Sequence, residues 1–389
     1  LDTQKDIAWH IANSYYNMND YTGALEWFED AMGNKLNTDE YYLKFAEALS
    51  IEGRYDEAIS VLDLISSSSA DSSFIRQKIF GIDLLKNNSH GDTLGIVRKE
   101  KDINSKYSDY GLAYCADKMV VSSARKEGIS SGTDGRTGQG YSNLFFTIVN
   151  NNTSSWTKPK KVNGKFNTNE NEGSFTYDSV NQIAYWTRCT EKSDLCLIYL
   201  SHFNSIKDSW TKPEKAGFQI SAYNYGQPFV SEDGKTLLFT SNMPNGQGKN
   251  DIWKIGRKKD GSWGIPINLG NKINTEGDEA FPSIYGDTLL FFSSNHHKSL
   301  GKYDIFFSIK EGLNFNKISN IGYPINSAAD DYAILLDKTK MNGWFCSDRD
   351  METSDDIYAF KGFPIKIVIK GKVIHDLDNM PIAAASIVF

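Results

Sequence analysis

Short apolar runs recur along the chain from about Ile103 to Lys361 at a nearly constant spacing. The five clearest runs are Asn143-Leu144-Phe145, Leu197-Ile198-Tyr199, Asp251-Ile252-Trp253, Asp304-Ile305-Phe306 and Asp356-Ile357-Tyr358. Their first residues lie 54, 54, 53 and 52 positions apart. A repeat of about 50 residues built on short strands is typical of a propeller blade.

Two further landmarks keep step with these runs. An aromatic residue follows each of the first four runs by 11 to 13 positions, as Trp156, Trp210, Trp263 and Phe315. An apolar-polar pair marks each junction, as Ile103-Asn104, Phe166-Asn167, Ile220-Ser221, Ile273-Asn274 and Ile325-Asn326. Because three landmarks agree over four periods, we interpret residues 91–361 as a β-propeller.

The last repeat has no outer strand of its own. Residues 91–104 align with 313–326, so we expect a strand at 94–104 to complete the final blade and close the ring. A strand shared in this way leaves no open sheet edge. This count predicts five blades, and six is the alternative if a divergent copy lies in the ends.

Residues 1–90 follow a different period. Ala12 and Ala46 are 34 positions apart, and so are Ala24 and Ala58. This spacing is typical of tetratricopeptide (TPR) repeats, which have two helices per unit. A further helix, about Ser73 to Lys86, is predicted to cap the array.

The concave face of such an array supplies the candidate partner-binding residues. These are Trp9, Asn13, Tyr16, Asn17, Leu43 and Glu47. The alternative is that Trp9 and Tyr16 pack on a preceding repeat, because aromatic residues at helical spacing usually belong to a core.

Residues 362–389 predict two strands around a turn. The run from Gly371 to Asp376, followed by Met380 to Ile387, resembles the start of a carboxypeptidase-regulatory-like β-sandwich. The fold class is therefore multidomain: a helical TPR array, an all-β propeller and the start of a β-sandwich. So short a segment cannot bury a core alone, so we expect the natural protein to continue.

Composition and charge exclude some functions. The formal net charge is −7, which argues against a nucleic-acid surface because such surfaces cluster Lys and Arg. The chain has 4 cysteines, of which Cys189 and Cys196 flank a short turn. A disulfide between them requires an oxidising compartment, so the sequence leaves their pairing undecided. Cys115 and Cys346 are predicted to be buried thiols, and no Cys/His spacing indicates a metal site.

Several motifs match parts of known catalytic or metal-binding patterns, but their context favours a structural role. Gly128-Ile129-Ser130-Ser131-Gly132 fits the G-x-S-x-G pattern but lacks the strand-to-helix context of a nucleophile elbow. The acidic run from Asp348 to Glu352 lacks the glycine of a calcium loop, and His296-His297 point to opposite faces of a strand. Asp251, Asp304 and Asp356 are predicted to bind local backbone N–H groups. The sequence therefore predicts no catalytic, cofactor or metal residue.

Two family resemblances follow from these residues. Ser231-Glu232-Asp233-Gly234-Lys235 and Asp251-Ile252-Trp253 resemble the TolB or PD40 propeller repeat. The order of modules resembles the OmpA-family periplasmic proteins of Bacteroidetes, the PorE-like group of the type IX secretion system. That resemblance implies a periplasmic location at the outer membrane, a PorP/SprF-type outer-membrane partner, and peptidoglycan binding through a domain beyond this sequence.

The first functional hypothesis is a non-enzymatic scaffold that links an outer-membrane secretion or gliding complex to the cell wall. The alternatives are a propeller glycoside hydrolase and a TolB-like adaptor unrelated to secretion. A set of acids at the channel mouth that departs from the repeat would favour the hydrolase.

Overall fold

The computed structural model describes most of the helical segment and the propeller. The described residues are 2–32, 38–66, 72–88, 97–126, 132–135, 137–150, 155–162, 165–190, 195–220, 222–312, 314–350 and 354–362. The predicted β-sandwich start at 362–389 lies almost entirely outside this set. No described helix is both long and apolar enough to cross a membrane.

The described residues of the N-terminal segment form five helices. They are α1 (Asp2–Asn17), α2 (Tyr21–Ala31), α3 (Asp39–Ile51), α4 (Tyr55–Ser66) and α5 (Ser72–Asn88). The alanines spaced by 34 residues are at most 1% exposed, so neighbouring helices approach closely at these positions. The turns before α2 and α4 carry left-handed residues at matching positions, Asn19 and Gly53. The assignment of these helices to the TPR class stays a prediction.

The β-structure is a propeller of five blades, which confirms the predicted count. Each blade is an antiparallel sheet whose first strand lies at the central channel. The inner strands are β2 (Asp109–Cys115), β8 (Asn171–Asp178), β13 (Tyr225–Val230), β17 (Glu279–Tyr285) and β21 (Asp331–Leu336). The second strands are β3 (Lys118–Ser123), β9 (Ile183–Thr190), β14 (Thr236–Ser241), β18 (Leu289–Ser294) and β22 (Asn342–Ser347).

The third and outer strands complete the blades. The third strands are β4 (Asn143–Thr147), β10 (Leu195–Asn204), β15 (Asp251–Gly256), β19 (Asp304–Ile309) and β23 (Asp356–Lys361). The outer strands are β7 (Lys160–Lys161), β12 (Glu214–Lys215), β16 (Ile267–Asn268), β20 (Ile318–Asn320) and β1 (Val97–Lys99). Short strands β5 (Val149–Asn150) and β6 (Ser155–Trp156) pair with each other, and β11 (Ser209–Trp210) extends blade two.

The ring closes through a strand from the other end of the propeller sequence. Strand β1 pairs with β23, with Val97 opposite Phe360 and Lys99 opposite Tyr358. Lys99 also makes ion pairs with Asp350 and Asp356 at 2.7 Å each. The fifth blade is thus built from both ends of the propeller segment.

One side-chain amide clamps the third strand of every blade. Its oxygen accepts a hydrogen bond from one backbone N–H of that strand, and its nitrogen donates to the carbonyl of the same residue. The pairs are Asn104 with Ile357, Asn167 with Leu144, Gln219 with Ile198, Asn274 with Ile252, and Asn326 with Ile305. In blade two the longer Gln219 takes this role, two positions before the Ser221 that the repeat alignment indicated.

Every inner strand has a bulge at the same level of the channel. The residues at these bulges have positive φ angles: Gly111 (65°), Ser174 (50°), Gln227 (52°), Phe281 (47°) and Ala333 (53°). Four of their N–H groups donate to a side chain of a neighbouring blade: Gly111 to Cys346, Ser174 to Ser122, Gln227 to Thr187, and Phe281 to Gln227. The bulges therefore tie adjacent blades together around the channel.

The helical segment contacts the face on which the inner strands begin, here called the helix-side face. The Tyr21 hydroxyl accepts a hydrogen bond from Lys302 Nζ at 2.8 Å and donates to Asp348 Oδ2 at 3.3 Å. Lys78 Nζ donates to the carbonyl of Gly301 at 2.6 Å. The opposite face, with the turns between first and second strands, is called the turn-side face.

We expect Asn326→Ala to destabilise the propeller. Removing the amide leaves the buried N–H and carbonyl of Ile305 without their partners, which costs roughly 2–4 kcal/mol. Chemical denaturation followed by tryptophan fluorescence measures the loss. The control is Asn271→Ala, which changes an exposed asparagine. Equal losses of stability in the two variants would contradict the role of Asn326 as a clamp.

We expect Gly81→Ala to destabilise the contact between α5 and blade four. A Cβ atom at Gly81 would lie 2.3 Å from the carbonyl oxygen of Ser299. Overpacking typically costs about 1–3 kcal/mol, against the roughly 1 kcal/mol that alanine gains in helix propensity. Thermal unfolding measures the outcome, with Asp83→Ala as an exposed control on α5. A Gly81→Ala variant more stable than the wild type would contradict this close contact.

Candidate functional site

A cavity opens at the centre of the helix-side face. Its volume is about 400 Å³, and it lies among the first residues of the inner strands of blades two, three and four. Among the polar residues that line it are Tyr110, Asn171, Thr187, Asn224, Gln227, Thr240, Asn250, Glu279 and Tyr303. We call it the helix-side cavity, and it is the candidate site.

Four of the five inner strands begin at or near a buried acid that serves the local backbone. These acids are Asp109, Glu172, Glu279 and Asp331, each 0% exposed. Each accepts hydrogen bonds from the backbone N–H and hydroxyl of a Ser or Thr four residues earlier. The acids are therefore part of the blade repeat.

Glu279 departs from this repeat. Arg125, Arg188 and Arg349 form ion pairs with Asp109, Glu172 and Asp331 respectively. In blade four, the position that matches Arg125 and Arg349 is His296, and Glu279 instead accepts a hydrogen bond from Ser294 Oγ at 2.8 Å. Among the described residues, no cation forms an ion pair with Glu279.

Burial is the main influence on the protonation of Glu279, which has no arginine beside it among the described residues. Burial raises the pKa of its carboxyl group to about 7. Hydrogen bonds from Thr275 and Ser294 oppose this shift, and the nearby Asp251 carboxylate adds to it. A substantial fraction of Glu279 is therefore protonated near neutral pH.

A second carboxyl group and a tyrosine lie beside Glu279. Asp278 accepts a hydrogen bond from the Asn250 side chain at 2.7 Å, and Asn250 lines the cavity. Burial, with the charges of Asp278, Asp330 and Glu279, raises the pKa of Tyr303 well above its ordinary value. Glu279 and a neutral phenol, Tyr303, therefore line the cavity, and Asp278 is linked to it through Asn250.

A disulfide bridge borders the same cavity. Cys189 and Cys196 are directly opposite in strands β9 and β10 and are bonded to each other. This settles the pairing that the sequence left open. Cys115 and Cys346 are buried free thiols, as predicted.

The predicted partner-binding residues are not gathered in an open groove. Trp9 packs against Phe28 and Tyr41, at ring distances of 6.0 and 5.6 Å. Tyr16 is buried, donates to Glu47 at 2.6 Å, and lies 5.5 Å below the Lys302 ammonium group. Trp9 therefore packs within the helical core, and Tyr16 lies where that core meets the propeller.

The remaining predicted residues differ in exposure. Asn13 accepts a hydrogen bond from Lys44 at 2.6 Å, and Leu43 packs against the helical core. Asn17 is exposed. A partner-binding role for the six residues stays a prediction.

Other sequence candidates have structural roles or fall outside the described residues. Asp251 accepts hydrogen bonds from Gln247 and Gly248 N–H groups, and Asp304 from those of Leu300 and Gly301, as predicted. Asp348 accepts from the N–H of Asp330 at 2.7 Å. Residues 128–131 of the G-x-S-x-G motif are not described. Within the described part of the chain, no group of His, Cys, Asp and Glu side chains has the arrangement of a metal site.

Comparisons with known proteins return similar structures only. No family model and no curated protein matches this sequence. An endo-arabinase from Bacteroides thetaiotaomicron is 12% identical, with 71% of this chain and 98% of that chain covered and a TM-score of 0.44. The Arb43A arabinanase of Bacillus subtilis is 10% identical, with coverages of 66% and 94% and a TM-score of 0.43. The GH43 endo-arabinanase of Bacillus licheniformis is 11% identical, with coverages of 67% and 96% and a TM-score of 0.41.

These findings correct one prediction from the sequence. The chain was expected to be a non-enzymatic scaffold, whereas the structural neighbours are named as enzymes. We therefore withdraw the non-enzymatic scaffold. Identities and TM-scores this low transfer no substrate and no catalytic residue, so the function must be argued from the cavity itself.

We expect Glu279→Gln to change how stability depends on pH. The native state holds the Glu279 proton more tightly than the unfolded chain does, so the wild type loses stability as pH rises from about 4.5 to about 7. The glutamine variant lacks this loss, so its stability relative to wild type should rise by up to about 3 kcal/mol across that window. Urea unfolding at several pH values measures the difference. Parallel curves for both proteins would contradict it, and Glu276→Gln in the same loop is the exposed control.

Proposed function

We propose that this protein is an enzyme of the glycoside hydrolase type that binds a saccharide in the helix-side cavity. The observation that carries the proposal is Glu279, an acid at the channel that has lost the arginine of its repeat and whose pKa is raised to about 7. A carboxyl group that is partly protonated near neutral pH has the property required of a proton donor.

The cavity wall suits a sugar. Side-chain amides and hydroxyls from Asn224, Asn250, Thr187 and Thr240 form hydrogen-bonding groups of the kind that sugar hydroxyls need. Asn224 Oδ1 accepts a hydrogen bond from the N–H of Cys196 at 2.8 Å. The amide nitrogen of Asn224 therefore points away from Cys196. Tyrosine side chains add flat apolar surface beside these groups.

Hydrolysis of a glycosidic bond commonly uses two carboxyl groups, one to protonate the leaving oxygen and one to act as base or nucleophile. Glu279 takes the first role, and Asp278 is the candidate for the second. Glu279 is enclosed by Thr275 and Ser294, so contact with a bound sugar requires the Ser294 hydroxyl to turn away. The side chain of Asn250, which lines the cavity, donates a hydrogen bond to Asp278.

The family context remains a separate proposal. Membership of the OmpA-family proteins, a PorP/SprF-type partner and contact with peptidoglycan stay predictions from the resemblance. A periplasmic location agrees with the Cys189–Cys196 disulfide, because disulfides persist in oxidising compartments.

The test is binding and turnover of a panel of oligosaccharides, with linear arabino-oligosaccharides among them. Calorimetry measures binding, and release of reducing ends measures cleavage. We expect at least one saccharide to bind and be cleaved, and Glu279→Gln to lower kcat roughly 100-fold or more with little change in binding.

The matched control is Glu276→Gln, an exposed glutamate of the same loop, which should keep wild-type turnover. Asp278→Asn should also lose turnover. The proposal is overturned if no saccharide in the panel binds, or if Glu279→Gln cleaves as fast as the control.

A further inference from the structure

A second cavity lies at the turn-side end of the channel. Its volume is about 460 Å³, and residues from all five inner strands contribute to its wall. It meets the helix-side cavity at the level of the bulges, where Ser174, Gln227 and Phe281 line both. Gln227 is fixed across this level because its Oε1 accepts hydrogen bonds from Phe281 N at 2.9 Å and Thr240 Oγ1 at 3.1 Å.

The wall of this turn-side cavity is mostly apolar, and its large side chains include Leu112, Tyr114, Phe175, Tyr177, Phe229 and Tyr285. The charged residues Glu232, Asp337, Lys338 and Lys340 also line it. The inner-strand N–H groups nearby are already paired: Val230 donates to Thr176, and Leu336 donates to the hydroxyl of Tyr285. The wall therefore offers mainly van der Waals contact.

An ion pair links two turns at the mouth of this cavity. Glu232, in the turn of blade three, lies 3.2 Å from Lys340, in the turn of blade five. Both residues line the cavity. Exposed ion pairs of this kind contribute little to stability.

We propose that the turn-side cavity binds a small, uncharged, apolar or aromatic molecule, and that the Glu232–Lys340 pair restricts its passage. A volume of this size lies in the range of small-molecule sites, whereas voids inside packed proteins are normally smaller. A charged ligand is disfavoured against the apolar part of the wall, because the paired N–H groups there could not replace its hydration. This site lies on the face opposite the saccharide cavity and does not depend on the function proposed there.

The test uses N-phenyl-1-naphthylamine, an uncharged aromatic dye, in fluorescence titrations with the whole chain. We expect saturable binding of one dye per chain. Phe229→Ala removes an aromatic wall that packs 5.8 Å from the ring of Tyr285, and should weaken binding at least fivefold. Phe203→Ala changes a half-buried phenylalanine of an outer blade region and should stay within twofold of wild type.

Stopped-flow mixing tests the ion pair. Lys340→Gln should raise the association rate constant of the dye at least threefold, because the turns are no longer linked. Unfolding midpoints establish that each variant is folded. Absence of saturable binding, or equal affinity of the two phenylalanine variants, overturns the site, and an unchanged association rate overturns the role of the ion pair.

Discussion

The propeller depends on the side-chain amide that clamps each third strand. One Asn or Gln satisfies both the N–H and the carbonyl of a single buried residue, such as Ile252 in blade three or Ile305 in blade four. Unpaired backbone groups in such positions are costly, so the clamp fixes where each blade ends and the next begins. In blade five the clamp is Asn104, which lies between β1 and β2 in the sequence, so the same interaction also helps to close the circle.

Because the blades share these interactions, a residue that departs from the shared pattern is a candidate for a functional role. The acids at the starts of the inner strands hold the backbone, and three of them have an arginine partner. Blade four has the acid without the arginine, and burial raises the pKa of Glu279 beside a polar cavity. The buried acid of blade four is therefore a candidate catalytic group, although the fold of this blade matches that of the others.

The two ends of the channel differ in character because different parts of the blades form them. The helix-side end carries amides, hydroxyls and acids. On the same face, Tyr21 and Lys78 of the helical segment contact Lys302 and Gly301 of the propeller. The turn-side end is mostly apolar. The bulge residues lie between the two ends of the channel, and at this level the N–H of Phe281 donates a hydrogen bond to the side chain of Gln227.

The period, the number of blades, the buried alanines of the helices and the capping roles of Asp251 and Asp304 could be predicted from the sequence, because each rests on a local pattern. It also indicated a strand near 94–104 beside the last blade. The tertiary structure alone decided the bulges at Ser174, Gln227, Phe281 and Ala333, which carry no glycine signal and are held mainly by side chains from neighbouring blades. The use of Gln219 as a clamp and the isolation of Glu279 were decided in the same way, since both depend on which side chains meet across strands that are distant in sequence.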